Sequence, residues 1–231
     1  MLQSFFCDNG TACVMRSRPF FVETSLFSTF HNAFLIENWY TKNMNISSKE
    51  RVLVTERPLT INEVLRFVHH DFMNQLQLVK MNLDLERVEA AQSAMSDIVE
   101  ASQTFFNINR LGIQRTIEWL HTASWRFPSL EILIDCNIEG TARESWDEPL
   151  RDCLEQSVQA IYKGLDPLVE QRLSLNVFAN EIEFEISFDF IGKTSTKTIS
   201  FDLTGTELQL EEPSFCEERW YYSIYAHKEG L

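Results

Sequence analysis

One amphipathic stretch, at residues 65–83, constrains the fold of this chain more than any other feature. Its apolar residues recur at steps of three and four, which is the spacing of one helix face. They form an apolar stripe that comprises Leu65, Val68, Phe72, Leu76, Val79 and Leu83. At about 100° per residue, His70 points roughly 155° away from the centre of the stripe. A structural histidine is expected within such a stripe, so His70 on the outer face, followed by Asp71, indicates chemistry with another macromolecule.

Two consecutive helices are predicted around this stretch. Thr60 can cap the first helix, and Glu63 three residues later completes a capping box, so the helix is expected to run to about Leu85. A second helix is predicted at about 88–106, with an apolar face formed by Val88, Ala91, Met95, Val99 and Phe106. A single helical hairpin buries such faces poorly, whereas two hairpins from two chains form a four-helix bundle.

After Asn107 the pattern changes to short alternating runs between helices. Helices are predicted at 113–125 and 147–165, and strands at 130–135, 172–178, 181–190, 197–203 and 220–226. Asn180 lies between two alternating runs and indicates a hairpin. We therefore expect an α+β fold, with a helical hairpin domain at 58–107 that forms a dimeric four-helix bundle, followed by a C-terminal α/β sandwich with a mostly antiparallel sheet at 108–231.

Residues 1–57 are rich in phenylalanine and lack a clean period, so this N-terminal extension receives no fold assignment. Three interpretations stay open. Residues 20–40 form an amphipathic helix that covers the bundle, or they form a membrane-surface segment, or the natural start is Met44 and the preceding residues do not belong to the protein.

Charge and cysteine content argue against several functional classes. The net charge of −14 and the pI of about 4.8 disfavour nucleic-acid binding, which needs a basic surface. The number of cysteines is five, which is odd, and no two of them form a CxxC motif. No two histidines have the spacing of metal ligands beyond the doublet at 69–70, so no metal site is predicted. No apolar run of about eighteen residues and no signal-peptide layout are found, so a cytoplasmic protein without a membrane partner is expected.

An exposed imidazole that titrates near neutrality is a competent nucleophile at phosphorus. His70 can accept a phosphoryl group from an aspartyl phosphate and return it to another aspartate, a reaction that depends mainly on in-line positioning. Asp71 can fix the tautomer of the ring or accept a proton, and Asn74 can orient the phosphoryl group. The phosphorylated ring nitrogen stays open. A predicted partner-binding face on the same helix comprises Arg66, Met73, Gln77 and Met81.

The competing interpretation is a solvated histidine, which is what an exposed helical histidine most often is. His69, nearer the stripe, is predicted to be a boundary packing residue, and His121 a histidine at the edge of the core. Nucleotide-binding glycines are missing, because none of the seven glycines forms a GxG pair and no Walker A motif occurs. We therefore expect no ATP-dependent autokinase activity.

The run from His70 to Lys80, followed by Asn82 and Leu83, resembles the phospho-acceptor helix of the sporulation initiation phosphotransferase B family. The shared pattern is H-D-aromatic-M-N-x-L-Q-L-aliphatic-K, and a looser H-D/E-x-x-N-x-L occurs in several sensor histidine kinases. A weaker similarity extends from about Leu59 to the C-terminus. This chain has His69 where the family has a basic residue before the acceptor, which bears on the tuning of the acceptor and on partner choice.

The resemblance implies a homodimeric bundle with exposed histidines and a C-terminal domain that resembles a degenerate histidine-kinase ATP-binding domain. It implies that His70 takes phosphate from a single-domain response regulator and passes it to the transcription-factor response regulator that controls initiation of sporulation. Asp71 and Asn74 match neighbouring family positions. The chain needs no cofactor of its own, because the partner response regulator supplies Mg²⁺.

Two alternatives stay open beside this phosphotransferase. The first is a non-catalytic degenerate kinase relative that binds or sequesters a response regulator, which the exposed methionines and the missing glycines also fit. The second is an active kinase with an atypical nucleotide site, which the absence of GxG disfavours.

Overall fold

A computed structural model describes residues 58–166, 168–196 and 199–228. The interpretations of residues 1–57 lie outside this part of the chain, as do the first two residues of the strand predicted at 197–203. Helices and strands follow in the order α1 (Ile61–Asp84), α2 (Val88–Ile108), α3 (Gln114–Arg126), β1 (Glu131–Ile138), α4 (Asp147–Lys163), β2 (Arg172–Ala179), β3 (Glu183–Ile191), β4 (Gln209–Phe215) and β5 (Arg219–His227). Two long helices followed by a mixed sheet with helices confirm the predicted α+β class.

Helix α1 begins with the predicted capping box. The backbone N–H of Glu63 donates to Thr60 Oγ1 at 3.4 Å, and the backbone N–H of Thr60 donates to Glu63 Oε2 at 2.8 Å. The joint to α2 contains neither glycine nor proline, and the chain reverses there because Glu86 adopts a φ of 58°. This left-handed conformation is unfavourable for a residue with a Cβ, so Glu86 adopts it in the turn at a small cost in conformational free energy.

The two helices of the hairpin pack through a small apolar cluster. Val79, Ala91 and Ala94 are buried in it, with Leu78 and Ile98 at its edge. Most of the apolar stripe lies outside this cluster, and five of its six residues are between 43% and 59% exposed. The exposed large apolar residues of α2 are Val88, Met95, Val99, Phe105 and Phe106. The hairpin of a single chain therefore presents a large apolar surface on both helices.

The sheet contains five strands in the order β1-β2-β3-β5-β4. Strands β1 and β2 are parallel and are joined by a crossover through α4, while the other neighbours are antiparallel. The predicted hairpin at Asn180 is confirmed, because Asn180 Oδ1 accepts hydrogen bonds from the backbone N–H groups of Ile182 and Glu183, each at 2.7 Å. The sheet is thus mostly antiparallel, as its alternating runs predict.

One predicted strand is wrong. Residues 199–203 form no strand, and the edge of the sheet is β4, which pairs with β5. The alternating side chains Ile199, Phe201 and Leu203 pack against the core without joining the sheet. Strand β4 contains Pro213 at a register shift between Glu211 and Ser214, and an edge strand tolerates a proline because no ladder hydrogen bond is lost there.

The main core lies between the sheet and helices α3 and α4. Leu120 of α3 and Leu154 of α4 are buried in the same cluster as Phe188 and Tyr222 of the sheet. This packing fixes α3 in place. Trp125, near the end of α3, then reaches α1 beside His70.

Candidate functional site

His70 lies on the face of α1 opposite the apolar stripe, as predicted, but that face is not fully open. The side chain of His70 is 39% exposed and that of Asp71 is 44% exposed. Sequence reasoning placed the histidine in the middle of a solvated face, whereas α3 covers part of it in the structure. The imidazole of His70 is therefore accessible to solvent on one side and lies beside protein groups on the other.

The three predicted catalytic residues lie together. His70 Nδ1 is 3.1 Å from Asp71 Oδ1. The amide nitrogen of Asn74, one turn further along α1, is 3.2 Å from His70 Nδ1 and 3.4 Å from His70 Nε2. The imidazole is thus flanked by a carboxylate and a primary amide on the same helix.

The contact with Asp71 favours one neutral tautomer of His70. A carboxylate can only accept a hydrogen bond, so the contact with Asp71 places a proton on Nδ1 and a lone pair on Nε2. The amide N–H of Asn74 cannot donate to a protonated Nδ1, so its contact with Nε2 is the compatible one. The geometry therefore presents Nε2 as the nucleophilic nitrogen, a point that sequence reasoning left open.

Trp125 is a site residue that sequence reasoning missed. Its indole N–H donates to Asp71 Oδ2 at 2.8 Å, across a separation of 54 residues. The indole also stacks on Phe67, with ring centroids 5.7 Å apart and an angle of 14° between the planes. No local pattern in α3 marks this contact, which arises only from the way α3 packs beside α1.

The predicted partner-binding face remains open to solvent. Arg66, Met73, Gln77 and Met81 are all exposed and follow α1 over about four turns. Their side chains are accessible to a partner that approaches His70 from either end of the helix. Their role in binding stays a prediction.

The other histidines of α1 and α3 differ from His70. His69 is exposed in the single chain, so the prediction of a packing residue is wrong there. His121 is half-buried and stacks on Phe105 at 3.9 Å, and burial lowers the pKa of its imidazole, as expected at the edge of a core.

Among the described residues, no group of three His, Cys, Asp or Glu side chains is arranged to hold a metal ion. Nor does any helix in the described ranges have the length and apolar character needed to cross a bilayer.

Comparisons with solved structures find histidine kinases. The chain is similar to the Acinetobacter baumannii histidine kinase AdeS, with 10% identity, 70% of this chain and 98% of that chain covered, and a TM-score of 0.33. It is also similar to histidine kinase ThkA, solved in complex with response regulator protein TrrA, with 9% identity, 83% and 67% coverage, and a TM-score of 0.35. A histidine kinase from Burkholderia phymatum matches with 12% identity, 79% and 96% coverage, and a TM-score of 0.32.

No curated protein sequence matches the chain. A family model does match, and it covers the part of the chain that contains His70. The model is the alpha-helical domain of the SpoOB-type sensor kinases, and it matches residues 51–111, roughly a quarter of the chain. The match spans α1, α2 and the short 3₁₀ turn at Asn109–Leu111. Residues 51–111 are therefore similar to a SpoOB-type alpha-helical domain, and this match supports a relation to the sporulation initiation phosphotransferase B family.

Proposed function

We propose that this chain is a phosphorelay histidine phosphotransferase, which accepts a phosphoryl group from a response-regulator aspartate on His70 and passes it to a second response regulator that controls initiation of sporulation. The observation that supports it most directly is the contact of His70 Nδ1 with Asp71 at 3.1 Å, within a SpoOB-type helical domain. This contact leaves the Nε2 lone pair directed away from the carboxylate.

In the first step, Nε2 of His70 attacks the phosphorus of the aspartyl phosphate. An N–P bond forms while the P–O bond to the aspartate breaks, and the aspartate leaves as a carboxylate. The imidazole retains its Nδ1 proton and becomes positively charged, and Asp71 offsets that charge. The second step is the reverse reaction with the aspartate of the second regulator.

The Asn74 amide is placed to act in both steps. When Nε2 becomes bonded to phosphorus, the N–H groups of Asn74 can donate to a phosphoryl oxygen, which carries the negative charge of the transferring group. Mg²⁺ would be supplied by the acidic pocket of the partner regulator, where it would offset the charge on the other phosphoryl oxygens. The chain itself then contributes a positioned nucleophile and a docking surface.

The proposed assembly is a homodimer in which the exposed apolar surfaces of two hairpins form a four-helix bundle. Burial of the stripe removes apolar area from water, which favours association. His70 lies on the opposite face of α1, so bundle formation leaves it accessible to a regulator that contacts Arg66, Met73, Gln77 and Met81. We further propose that the protein acts in the cytoplasm and does not phosphorylate itself from ATP, since no GxG pair occurs in the sequence.

A transfer assay without ATP tests the proposal. A single-domain sporulation response regulator is phosphorylated, the phosphodonor is removed, and the full chain is added. We expect acid-labile, base-stable label on the wild-type chain and no label on His70→Gln. The matched control is His69→Gln, which makes the same change at the neighbouring exposed histidine and should still accept label.

Three results would contradict the proposal. Label on His70→Gln would exclude His70 as the carrier. A stable complex with the regulator and no label on the wild type would favour a binding module that sequesters the regulator. Labelling of the isolated chain from ATP would show an autokinase.

A further inference from the structure

The contact between His70 and Asp71 is unusual for a helix. Residues i and i+1 point about 100° apart, so neighbouring side chains do not face each other without some additional constraint. Asp71 is nevertheless 3.1 Å from the imidazole. A half-exposed aspartate on a helix has several accessible rotamers, so the observed one needs a group that holds it.

Trp125 is that group. Its indole N–H donates to Asp71 Oδ2, while Asp71 Oδ1 contacts His70 Nδ1, so each carboxylate oxygen has its own partner. The indole is itself held by the stack on Phe67, one turn before His70 on α1. The donor is therefore rigid with respect to the helix that carries the nucleophile.

We propose that Trp125 is a positioning residue, which orients the Asp71 carboxylate and thereby sets the tautomer of His70. With the carboxylate fixed beside Nδ1, the proton stays on Nδ1 and the lone pair on Nε2. Without the indole N–H, Asp71 turns towards solvent, and both neutral tautomers of His70 become populated.

The effect on phosphoryl transfer rests on the proposed function. Only the tautomer with a lone pair on Nε2 can attack through that nitrogen, and only an oriented Asp71 can offset the positive charge that develops on the ring. The indole N–H of Trp125 donates to Asp71, so Trp125 acts on His70 through Asp71. Since α3 belongs to the C-terminal part of the chain, this part contributes directly to the acceptor site.

The substitution Trp125→Phe isolates the hydrogen bond, because phenylalanine can keep the stack on Phe67 and lacks the N–H donor. The matched control is Trp119→Phe on the same helix. Trp119 also donates its indole N–H to a carboxylate, Glu155 Oε2 at 2.6 Å, but that carboxylate has no contact with His70. A general cost of losing an indole donor from α3 would appear in both variants.

The first measurement is the ¹⁵N chemical shifts of the His70 ring in the full chain labelled with ¹⁵N-histidine. We expect the wild type and Trp119→Phe to show a protonated Nδ1 and an unprotonated Nε2. In Trp125→Phe the two shifts should move towards their tautomeric average. Unchanged shifts in Trp125→Phe would overturn the proposal.

The second measurement needs no change at Trp125. In Asp71→Asn, the indole N–H resonance of Trp125, assigned by its proximity to Phe67, should move because its acceptor loses the negative charge. An unmoved resonance would contradict the hydrogen bond. This measurement tests the hydrogen bond between Trp125 and Asp71 even if Trp125→Phe does not fold.

The third measurement is the rate of transfer from the phosphorylated regulator. Trp125→Phe should be about ten- to a hundredfold slower, which is the order of loss for a misplaced catalytic group. Asp71→Asn and the double variant should have equal rates, because Trp125 acts only through Asp71. If the double variant were slower than Asp71→Asn, Trp125 would act on transfer by a route other than Asp71. A wild type that accepts no phosphate would reject the proposed function, while the two NMR measurements would still decide the role of Trp125.

Discussion

Asp147 Oδ1 accepts a hydrogen bond from the backbone N–H of Thr116 at 2.7 Å, although the two residues belong to different helices. Asp147 Oδ2 accepts from the backbone N–H of Arg115 at 2.9 Å. Helix α3 has Ile113 as its own N-cap residue, and Ile113 offers no side-chain acceptor. The first residue of α4 therefore caps α3, which fixes the two helices together and directs α3 towards α1.

Removal of this cap should lower the stability of the whole α3–α4 unit. In Asp147→Ala, two N–H groups of α3 lose their acceptor, while the buried hydroxyl of Thr116 keeps only the backbone carbonyl of residue 147. We expect a loss of about 2 kcal/mol in the free energy of unfolding. Urea unfolding followed by circular dichroism measures it. The control is Glu148→Ala, which breaks only an exposed ion pair with Arg115 and should change stability by less than about 1 kcal/mol. Equal losses in the two variants would contradict the capping role.

A largely buried ion pair connects the last residue of α3, Arg126, to Glu155 in the middle of α4 and predicts a pH dependence of stability. Glu155 accepts hydrogen bonds from Arg126 at 2.5 Å and 2.7 Å, and from Trp119 and Gln159 at 2.6 Å each. Burial by itself would raise the pKa of the Glu155 carboxyl, but the hydrogen bonds and the charge of Arg126 outweigh it and lower the pKa below the usual 4.5. As pH falls, the unfolded chain therefore takes up this proton before the folded chain does.

The contribution of Glu155 to stability is fully present above pH 4.5 and is lost as pH falls through the lower pKa of the folded state. The wild type should thus lose stability steeply below that pH, and Glu155→Gln should show a flatter dependence in the same window. Urea unfolding midpoints at several pH values between about 6 and 3 measure the slopes. Glu148→Gln, at an exposed position, is the control. A slope in Glu155→Gln as steep as that of the wild type would contradict the assignment.

The helical part of the fold follows closely from the sequence. The capping box at Thr60 and the spacing of the stripe are local signals, so α1 and α2 begin and end within two residues of the predicted positions. His70 and Asn74 could be placed together for the same reason, because residues four apart on one helix are neighbours whatever the rest of the chain does. The sequence also singles out Asp71 next to His70, but the contact between their side chains depends on Trp125 of α3.

The errors arise where tertiary contacts override local pattern. Alternation at Ile199, Phe201 and Leu203 reflects packing against the core and not a place in the sheet. Strand β4 carries Pro213 within an acidic run, which disfavours a strand locally, yet pairing with β5 stabilises it at the sheet edge. Trp125 could not be assigned to the site, because only the packing of α3 brings it to Asp71.

The exposed apolar stripe predicts self-association. Phe72 and Leu76 are 50% and 43% exposed in the single chain, and both lie near the centre of the stripe. Phe72→Glu places a charge where a dimeric bundle would bury it, so this variant should be monomeric while the wild type is a dimer in sedimentation velocity. Gln77→Glu adds the same charge on the opposite side of α1 and should remain dimeric. A monomeric wild type would reject the bundle, and a dimeric Phe72→Glu would place the interface elsewhere.

Asn74 should contribute to phosphoryl transfer through its N–H donors, because only its contact with Nε2 fits the tautomer that Asp71 imposes on His70. Asn74→Ala removes one donor near the transferring group, and we expect transfer to be about a hundredfold slower with an unchanged fold. Asn74→Asp should be slower still, since a carboxylate repels the negative phosphoryl oxygens. Gln75→Ala, at the adjacent exposed position on α1, should keep the wild-type rate. Rapid-quench measurement of label on His70 gives the rates, and wild-type transfer by Asn74→Ala would remove Asn74 from the site.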